Sequence, residues 1–308
     1  MDLELSPDQE LLRDTVRRFL AERAPTNWVR TMLDEPRGTD DDVWGGLVEL
    51  GVTGLLAGGG SMVEVGVVAM EMGRAVHPGP WLSSAVGAAS LVGDLGDRVG
   101  TVAFDLDRVA DAAAADVVLM VVGTSVTAID DFDAEPLETL DGTRKWGRVR
   151  PRSGGRSVDG ADVDLTRDRL VTALVADGVG AAERAMELAV AHAKERVQFD
   201  RPIGSVQAVQ HLCADMFQRV ELARSGVLYA LWACDAAPGP ERRRAVAMAK
   251  AFASEALPRV GADAIQVHGG VGYTWEHDVH LFSKRLLTLE HAYGGAAVHL
   301  DQLADLIL

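Results

Sequence analysis

The sequence predicts a mainly α protein with a small β domain, ordered as helical domain, reduced β domain and C-terminal four-helix bundle. Three observations predict it. At both ends of the chain, apolar residues recur three and four apart, the period of a helix face. Between those ends lie short Val-rich runs bounded by Gly and Asp, which read as strands. The strand block is short for an independent core, which is the sense in which the β domain is called reduced. The predicted domains are residues 1–99, 100–166 and 167–308.

The elements follow in order. Ser6, Pro7 and Gln9 spell an N-cap, a first-turn proline and a capping box, and Leu12, Val16, Phe19 and Leu20 give the helix its apolar face. A second helix is expected over Asp41–Leu50, stopped by Gly51, and a third from Met62 to Val76, ended by the turn at Pro78 and Pro80. Ser83–Leu95 reads as a fourth. Strands are expected over Thr101–Leu106, Asp116–Val122, Ser125–Asp131 and Arg144–Val149. In the last block, Val175, Val179, Ala182, Met186, Ala189 and Ala193 line one helix. Val206, Val209, Cys213, Met216, Val220, Ala223, Val227, Ala230 and Cys234 form a bundle seam on the next. Helices over Glu241–Val267 and Glu276–Ala292 and a short terminal one complete the bundle. Both cysteines fall on the seam and read as small buried hydrophobes.

Composition sets limits. With 308 residues and a net charge of −16, nucleic acid is excluded as a natural partner. No basic stretch precedes an apolar run at Met1–Leu5, so no signal peptide is expected. No run of 18 apolar residues occurs, so no membrane span is expected and a cytoplasmic location follows. The cluster Trp275-Glu-His-Asp278 lacks a further ligand at helical spacing, so no metal site is expected.

Two segments carry chemistry. The first is Arg196-Val-Gln-Phe-Asp-Arg-Pro-Ile-Gly204, with Gln207, Gln210 and His211 following. The second is Gln266-Val-His-Gly-Gly-Val-Gly-Tyr273. Together with Leu47–Leu55 and Glu71–Pro80, they make the chain resemble the acyl-CoA dehydrogenases, over nearly its whole length and most strongly from Gly178 onward. The resemblance implies FAD as cofactor, an acyl-CoA thioester as substrate and an electron-transfer flavoprotein as acceptor. It also implies that one subunit's bundle grips the nucleotide tail of its neighbour's FAD. Carried over by residue, Arg196 faces the pyrophosphate with a forked, permanently charged donor set. Gln198 donates to the same group, Phe199 packs on the dinucleotide tail, and Gln266, Gly269 and Gly270 approach the ADP ribose. His211 carries over as a packing residue.

The departures matter equally. The family's Thr-Glu-Pro-x-Ala-Gly-Ser-like and Gly-x-Lys-x-Trp-Ile-like stretches, which contact the flavin ring, are missing; Gly142–Trp146 is too late and too different to replace them. The family's catalytic Glu position falls on Tyr293, before Gly294. A phenol is a poor base at neutral pH. Glu290, one turn earlier, is the candidate displaced base, and Asp168, near the other family base position, reads as a helix-start acid. The chain thus resembles the smaller, degenerate subunit of bacterial α2β2 acyl-CoA dehydrogenases, such as those for steroid side-chain CoA thioesters, whose catalytic partner supplies the Glu. The alternatives left open are a homomeric enzyme using Glu290, a non-catalytic assembly protein of the same fold and a flavin monooxygenase.

Overall fold

The computed structural model describes residues 4–308; the sequence reading at Met1–Leu3 lies outside the described residues. Helix α1 (Pro7–Arg23) opens with the expected capping box: Ser6 Oγ accepts from Gln9 N–H, and Gln9 returns the bond to Ser6 N–H. A short α2 (Thr26–Thr31) follows, then α3 (Asp41–Glu49), N-capped by Asp40. Helix α4 (Met62–Arg74) has a second capping box, from Ser61 and Glu64. Arg17 on α1 clamps the buried Glu71 on α4 with two bonds of 2.8 and 2.7 Å, tying the first helix down.

The stretch predicted as one helix over Ser83–Leu95 is instead a buried π-helical turn (Leu82–Ala88) running into a one-turn α5 (Ala89–Val92). The π-turn displaces Ser83 toward the β region, where its hydroxyl meets Asp111 at 2.6 Å.

Seven short strands come next: β1 (Gly100–Ala103), β2 (Val109–Ala110), β3 (Val117–Val122), β4 (Ser125–Ile129), β5 (Phe132–Leu137), β6 (Trp146–Pro151) and β7 (Arg156–Val158). They form two sheets, ordered β1-β3-β4-β7 and β2-β6-β5; β1 and β3 are parallel and the other pairs antiparallel. Strand β3 shows why this block is not self-sufficient. Val118 faces a small core with Ala103, Val109, Ala112, Ile129 and Val149, while Val117, Leu119 and Val121 face the main core shared with the helices. Strand β5 was not anticipated. It is an edge strand whose Asp133, Glu135 and Pro136 break the apolar pattern, as edge positions allow.

Helix α6 (Val163–Glu195) starts earlier than read, with Asp162 as N-cap. Asp168 is therefore not a helix-start acid. It lies in the second turn, nearly buried, and accepts from Arg242 Nε at 2.7 Å. Helix α7 (Gln207–Ala236) and α8 (Gly239–His268) are the long neighbours, and α9 (Val279–His291) and α10 (Ala296–Ile307) close the chain. The α7 seam is buried from Met216 to Cys234, but Val209 and Cys213 near its start are only partly covered, and Val206 is exposed. Cys213 is thus half-buried rather than a core residue. Burial pushes the Cys234 thiol up to about 12, so it stays protonated and inert.

Helices α4 and α6 cross at Gly73 and Gly180. A Cβ on Gly73 would run into the Asp177 carbonyl, and one on Gly180 into that of Met70. This backbone contact fixes where Asp177 sits. No helix among the described residues is long and apolar enough to cross a membrane.

Candidate functional site

Two places in the fold carry concentrated polar chemistry. The first is a cavity of only about 30 Å³ where the β region meets α6 and α9. That is room for about one or two waters. Ser83 and Asp111 line it from one side, Arg144, Lys145 and Trp146 from the loop leading into β6, Asp177 from α6, and Arg285, Thr288, Ala292 and Tyr293 from α9 and the residues after it.

The cavity is small because charged side chains fill the space. Arg285 is 2% exposed. It donates to Asp177 at 3.2 Å, to the His77 carbonyl at 2.8 Å and to the Thr143 carbonyl and hydroxyl at 3.0 and 2.8 Å. Arg144 lies 2.7 Å from the other Asp177 oxygen, though its Nη2 finds no well-aligned acceptor. Asp141 accepts from Thr143 N–H and hydroxyl at 2.9 and 2.6 Å, and Lys145 Nζ donates to the Leu33 carbonyl at 2.7 Å. Three carboxylates (Asp111, Asp141, Asp177) thus face three cations (Arg144, Lys145, Arg285). Asp177, in direct contact with Arg144 and Arg285, depends on those partners, since an unpaired charge here would be strongly penalised, whereas the Asp111 carboxylate is bonded to Ser83 and pairs directly with no cation among the described residues.

Burial pushes the Asp111 carboxyl up to about 6, against the Ser83 hydrogen bond and nearby Arg144, and pushes His77 down to about 3. For Asp111 the folded value lies above the unfolded one. Its contribution is fully present below the unfolded pKa of 3.8 and is lost as pH rises through about 6. Asp111→Asn is therefore expected to raise stability at pH 8, by at most about 3 kcal/mol, and to have little effect at pH 4. Urea unfolding of both proteins at the two pH values checks this; an equal effect at both would refute it. His77 acts in the opposite sense, because its neutral form is favoured on folding and its contribution falls as pH drops below the usual imidazole range.

Tyr293 walls this cavity off from an outer cleft of about 620 Å³ that also touches Arg167, Asp168, Arg243 and His299. Its backbone is left-handed (φ 56°), and its ring meets Phe104 edge-on at 6.2 Å. Burial, reinforced by Asp111, pushes the phenol up to about 12, so it is protonated at neutral pH. The end of α9 that presents it is anchored by Lys250, fully buried, whose Nζ donates to the Leu289 carbonyl and to Ser254, both at 2.7 Å. Glu290 is not among the residues lining the cavity. It is partly exposed, its carboxylate 4.0 Å from His291.

The second place is the far end of the bundle. Helix α6 ends at Arg196 and runs into the hairpin β8 (Val197–Gln198) and β9 (Arg201–Pro202). Phe199 and Asp200 make its two-residue turn, both left-handed (φ 52° and 60°), a conformation that Phe adopts only under strain. Phe199 is nevertheless 95% exposed. Gln198 Nε2 donates to the Val197 carbonyl at 2.7 Å. Next to the hairpin, α8 ends at Gly269 with a positive φ of 65° and passes into a 3₁₀ turn, Gly269–Tyr273. A Cβ at Gly269 or Gly270 would meet nothing, so no packing within this chain requires a glycine at Gly270. His192, one turn before Arg196, stacks on His268 at 4.7 Å and so joins the two segments. Arg196, Gln198, Phe199, Gln266, Gly269 and Gly270 are all exposed at this one end.

Comparison with known proteins agrees with this layout. Residues 6–101 match the acyl-CoA dehydrogenase N-terminal domain, and residues 160–308 match the C-terminal domain. The chain belongs to the acyl-CoA dehydrogenase family. It is 36% identical to acyl-CoA dehydrogenase IpdE2 of Mycolicibacterium smegmatis, over 91% of this chain and 93% of the relative. Identity to IpdE2 of Mycobacterium tuberculosis is 33%, over 90% of each. In fold it is similar to a chain of the ChsE4-ChsE5 complex from Mycobacterium tuberculosis, with TM-score 0.87, 24% identity and coverage of 99% and 98%. It also matches a chain of the Tcur3481-Tcur3483 steroid acyl-CoA dehydrogenase, with TM-score 0.87, 24% identity and 97% coverage of each.

FAD is the cofactor of the acyl-CoA dehydrogenases. This chain's two places fit it unequally. The open end of the bundle offers a guanidinium, an amide, an exposed aromatic ring and two uncrowded glycines, which suit a dinucleotide's charged tail. The inner cavity does not fit the flavin ring: it has room for little more than water and is filled by ion pairs. Sequence reasoning missed Asp111, Arg144, Asp177 and Arg285, the residues that fill it.

Proposed function

We propose that this chain is the non-catalytic subunit of a heteromeric acyl-CoA dehydrogenase. Arg196, Gln198, Phe199, Gln266, Gly269 and Gly270 hold the ADP half of the FAD of a catalytic partner. That partner supplies the ring contacts and the Glu that takes the α-proton in α,β-dehydrogenation of an acyl-CoA. One contrast carries the reading: the chain's own ring-side cavity is closed by a charge cluster and a protonated Tyr293, whereas its nucleotide-facing residues are exposed. The likeness to a steroid acyl-CoA dehydrogenase complex supports a bulky, steroid-derived acyl group as substrate and an α2β2 assembly, with an electron-transfer flavoprotein as acceptor.

The test is the absorbance spectrum of the chain alone and co-expressed with a catalytic acyl-CoA dehydrogenase encoded nearby. The expected result is a colourless lone protein and a yellow heteromer with one FAD per pair. A yellow homomer that bleaches with an acyl-CoA would overturn the reading and return attention to Glu290.

A further inference from the structure

Three imidazoles cluster at the nucleotide-facing end of the bundle. The His268 ring stacks on His192, at 4.7 Å and 27°, and meets His277 at a tilt, at 4.2 Å and 50°. His268 comes from the last turn of α8, His192 from the last turns of α6, and His277 from the loop before α9. The hydrogen bonds commit two of the rings. His268 Nδ1–H donates to the Ala264 carbonyl at 2.7 Å, which leaves its buried Nε2 bare and without a partner. His277 Nδ1 accepts the Val279 N–H at 3.1 Å at the start of α9. Protonation is opposed at both rings for different reasons: the His268 Nδ1–H bond would survive it, but the added proton on Nε2 would be a buried donor with no acceptor, and a proton on His277 Nδ1 would break its bond.

Resting on the half-site reading above, we infer that His268 is a positioning residue, the centre of a histidine cluster that aligns the end of α6, from which the Arg196–Pro202 hairpin extends, with the Gln266–Gly270 turn. The two segments are 70 residues apart in sequence and are carried by the packed helices α6 and α8, whose ends meet at the His192–His268 ring contact. The hairpin is tied at its base, where Ile203 N–H donates to the Arg196 carbonyl at 2.8 Å and Ile203 packs against the core, but beyond that base it is thin. Its two strands are two residues each, its tip is strained, and Phe199 is exposed. The stack can therefore set how well the two groups of cofactor contacts are aligned.

The same arrangement makes the alignment acid-labile. Burial holds all three rings below the usual imidazole range. The charged groups facing the stack are Glu195 and Arg196 from the end of α6, Arg30 from α2, and Asp278 next to His277. Asp278 is already paired with Arg30 at 2.6 Å, leaving Glu195 as the one unengaged carboxylate in this group. Because the neutral rings are favoured on folding, the contribution of the stack is present above the unfolded imidazole pKa and is lost as pH falls below it.

Two readouts test this. Hydrogen exchange across residues 196–203 is measured in the protein as purified, before flavin is added, and FAD affinity is measured in the complex. His268→Ala is expected to speed exchange of the hairpin and to weaken FAD, each by about tenfold, the size of one lost ring stack. His268→Phe, which keeps a flat ring but cannot titrate, is expected to restore both. It should also flatten the loss of FAD expected of the unmodified complex between pH 7.5 and 5.5. Should His268→Ala not fold, His192→Ala repeats the test from the more exposed side. Unchanged exchange and affinity in His268→Ala would overturn the proposal, as would a His268→Phe variant with the parent's pH profile. A hairpin that loosens as expected in a protein that takes no FAD from any partner would uphold the positioning and overturn the half-site reading.

Discussion

Replacing Arg196 by alanine is expected to strip FAD from the heteromer while leaving the chain folded. Arg196 is exposed at the end of α6, so its loss creates no cavity, and its backbone N–H still bonds the His192 carbonyl at 2.8 Å. In the proposed complex its guanidinium meets the pyrophosphate, a charge-assisted contact worth about 1.5–3 kcal/mol, or roughly 10- to 150-fold in FAD affinity. Arg196→Lys keeps the charge but loses the fork, so it should fall between the parent and the alanine variant. The discriminating measurement is FAD retention through gel filtration, read at several flavin concentrations. Excess FAD should restore turnover with an unchanged kcat, because the reacting carboxylate belongs to the partner. A variant that retains FAD normally would leave Arg196 a solvated helix-end charge and favour a pure assembly role for the chain.

The two polar places differ in how far the sequence showed them. The hairpin and the turn after α8 are contiguous segments, so their residue types, order and glycines are visible along the chain. The long bundle helices are equally legible, because a seam such as Val220, Ala223, Val227 and Ala230 repeats locally and is buried as read. The charge cluster is not contiguous. Asp111, Arg144, Asp177 and Arg285 come from four separate elements spread over more than half of the chain, and each alone resembles a solvated charge. Two local signals were available. Asp177 interrupts an apolar run from Leu170 to Val179, and Arg285 sits within the buried stripe of Leu281, Phe282, Leu286 and Leu289. A charge at a core position of a helix demands a partner, but the partner's identity depends on the α4–α6 crossing and on where the Gly142–Trp146 loop docks. The π-turn at Leu82–Ala88 was hidden for a related reason: its composition suits an α-helix, and tertiary packing selects the wider turn.

The second large effect is expected at Arg285. Arg285→Ala removes a buried cation that satisfies Asp177, the His77 carbonyl, and both the carbonyl and the hydroxyl of Thr143. Breaking one side of a buried ion pair typically costs about 3–5 kcal/mol, mostly through the charge left behind. For a chain of this size that corresponds to a fall in Tm of roughly 10 °C. The cost is not that of the Arg285–Asp177 pair alone, because Arg144 remains 2.7 Å from Asp177 and can take up part of its charge. A double-mutant cycle with Asp177→Asn separates the two contributions, and strong coupling of Arg285 to Asp177 is the expected result. Weak coupling would mean that the carbonyls of His77 and Thr143, not the carboxylate, set the position of Arg285. The same variant bears on function. Removing Arg285 enlarges the inner cavity, yet the FAD content of the heteromer should stay at one per pair, because Arg144, Tyr293 and the short β sheets still occupy or fail to frame the ring's place. A rise toward two would show that charge filling alone keeps the flavin ring out of this subunit, and that the rest of its site has survived.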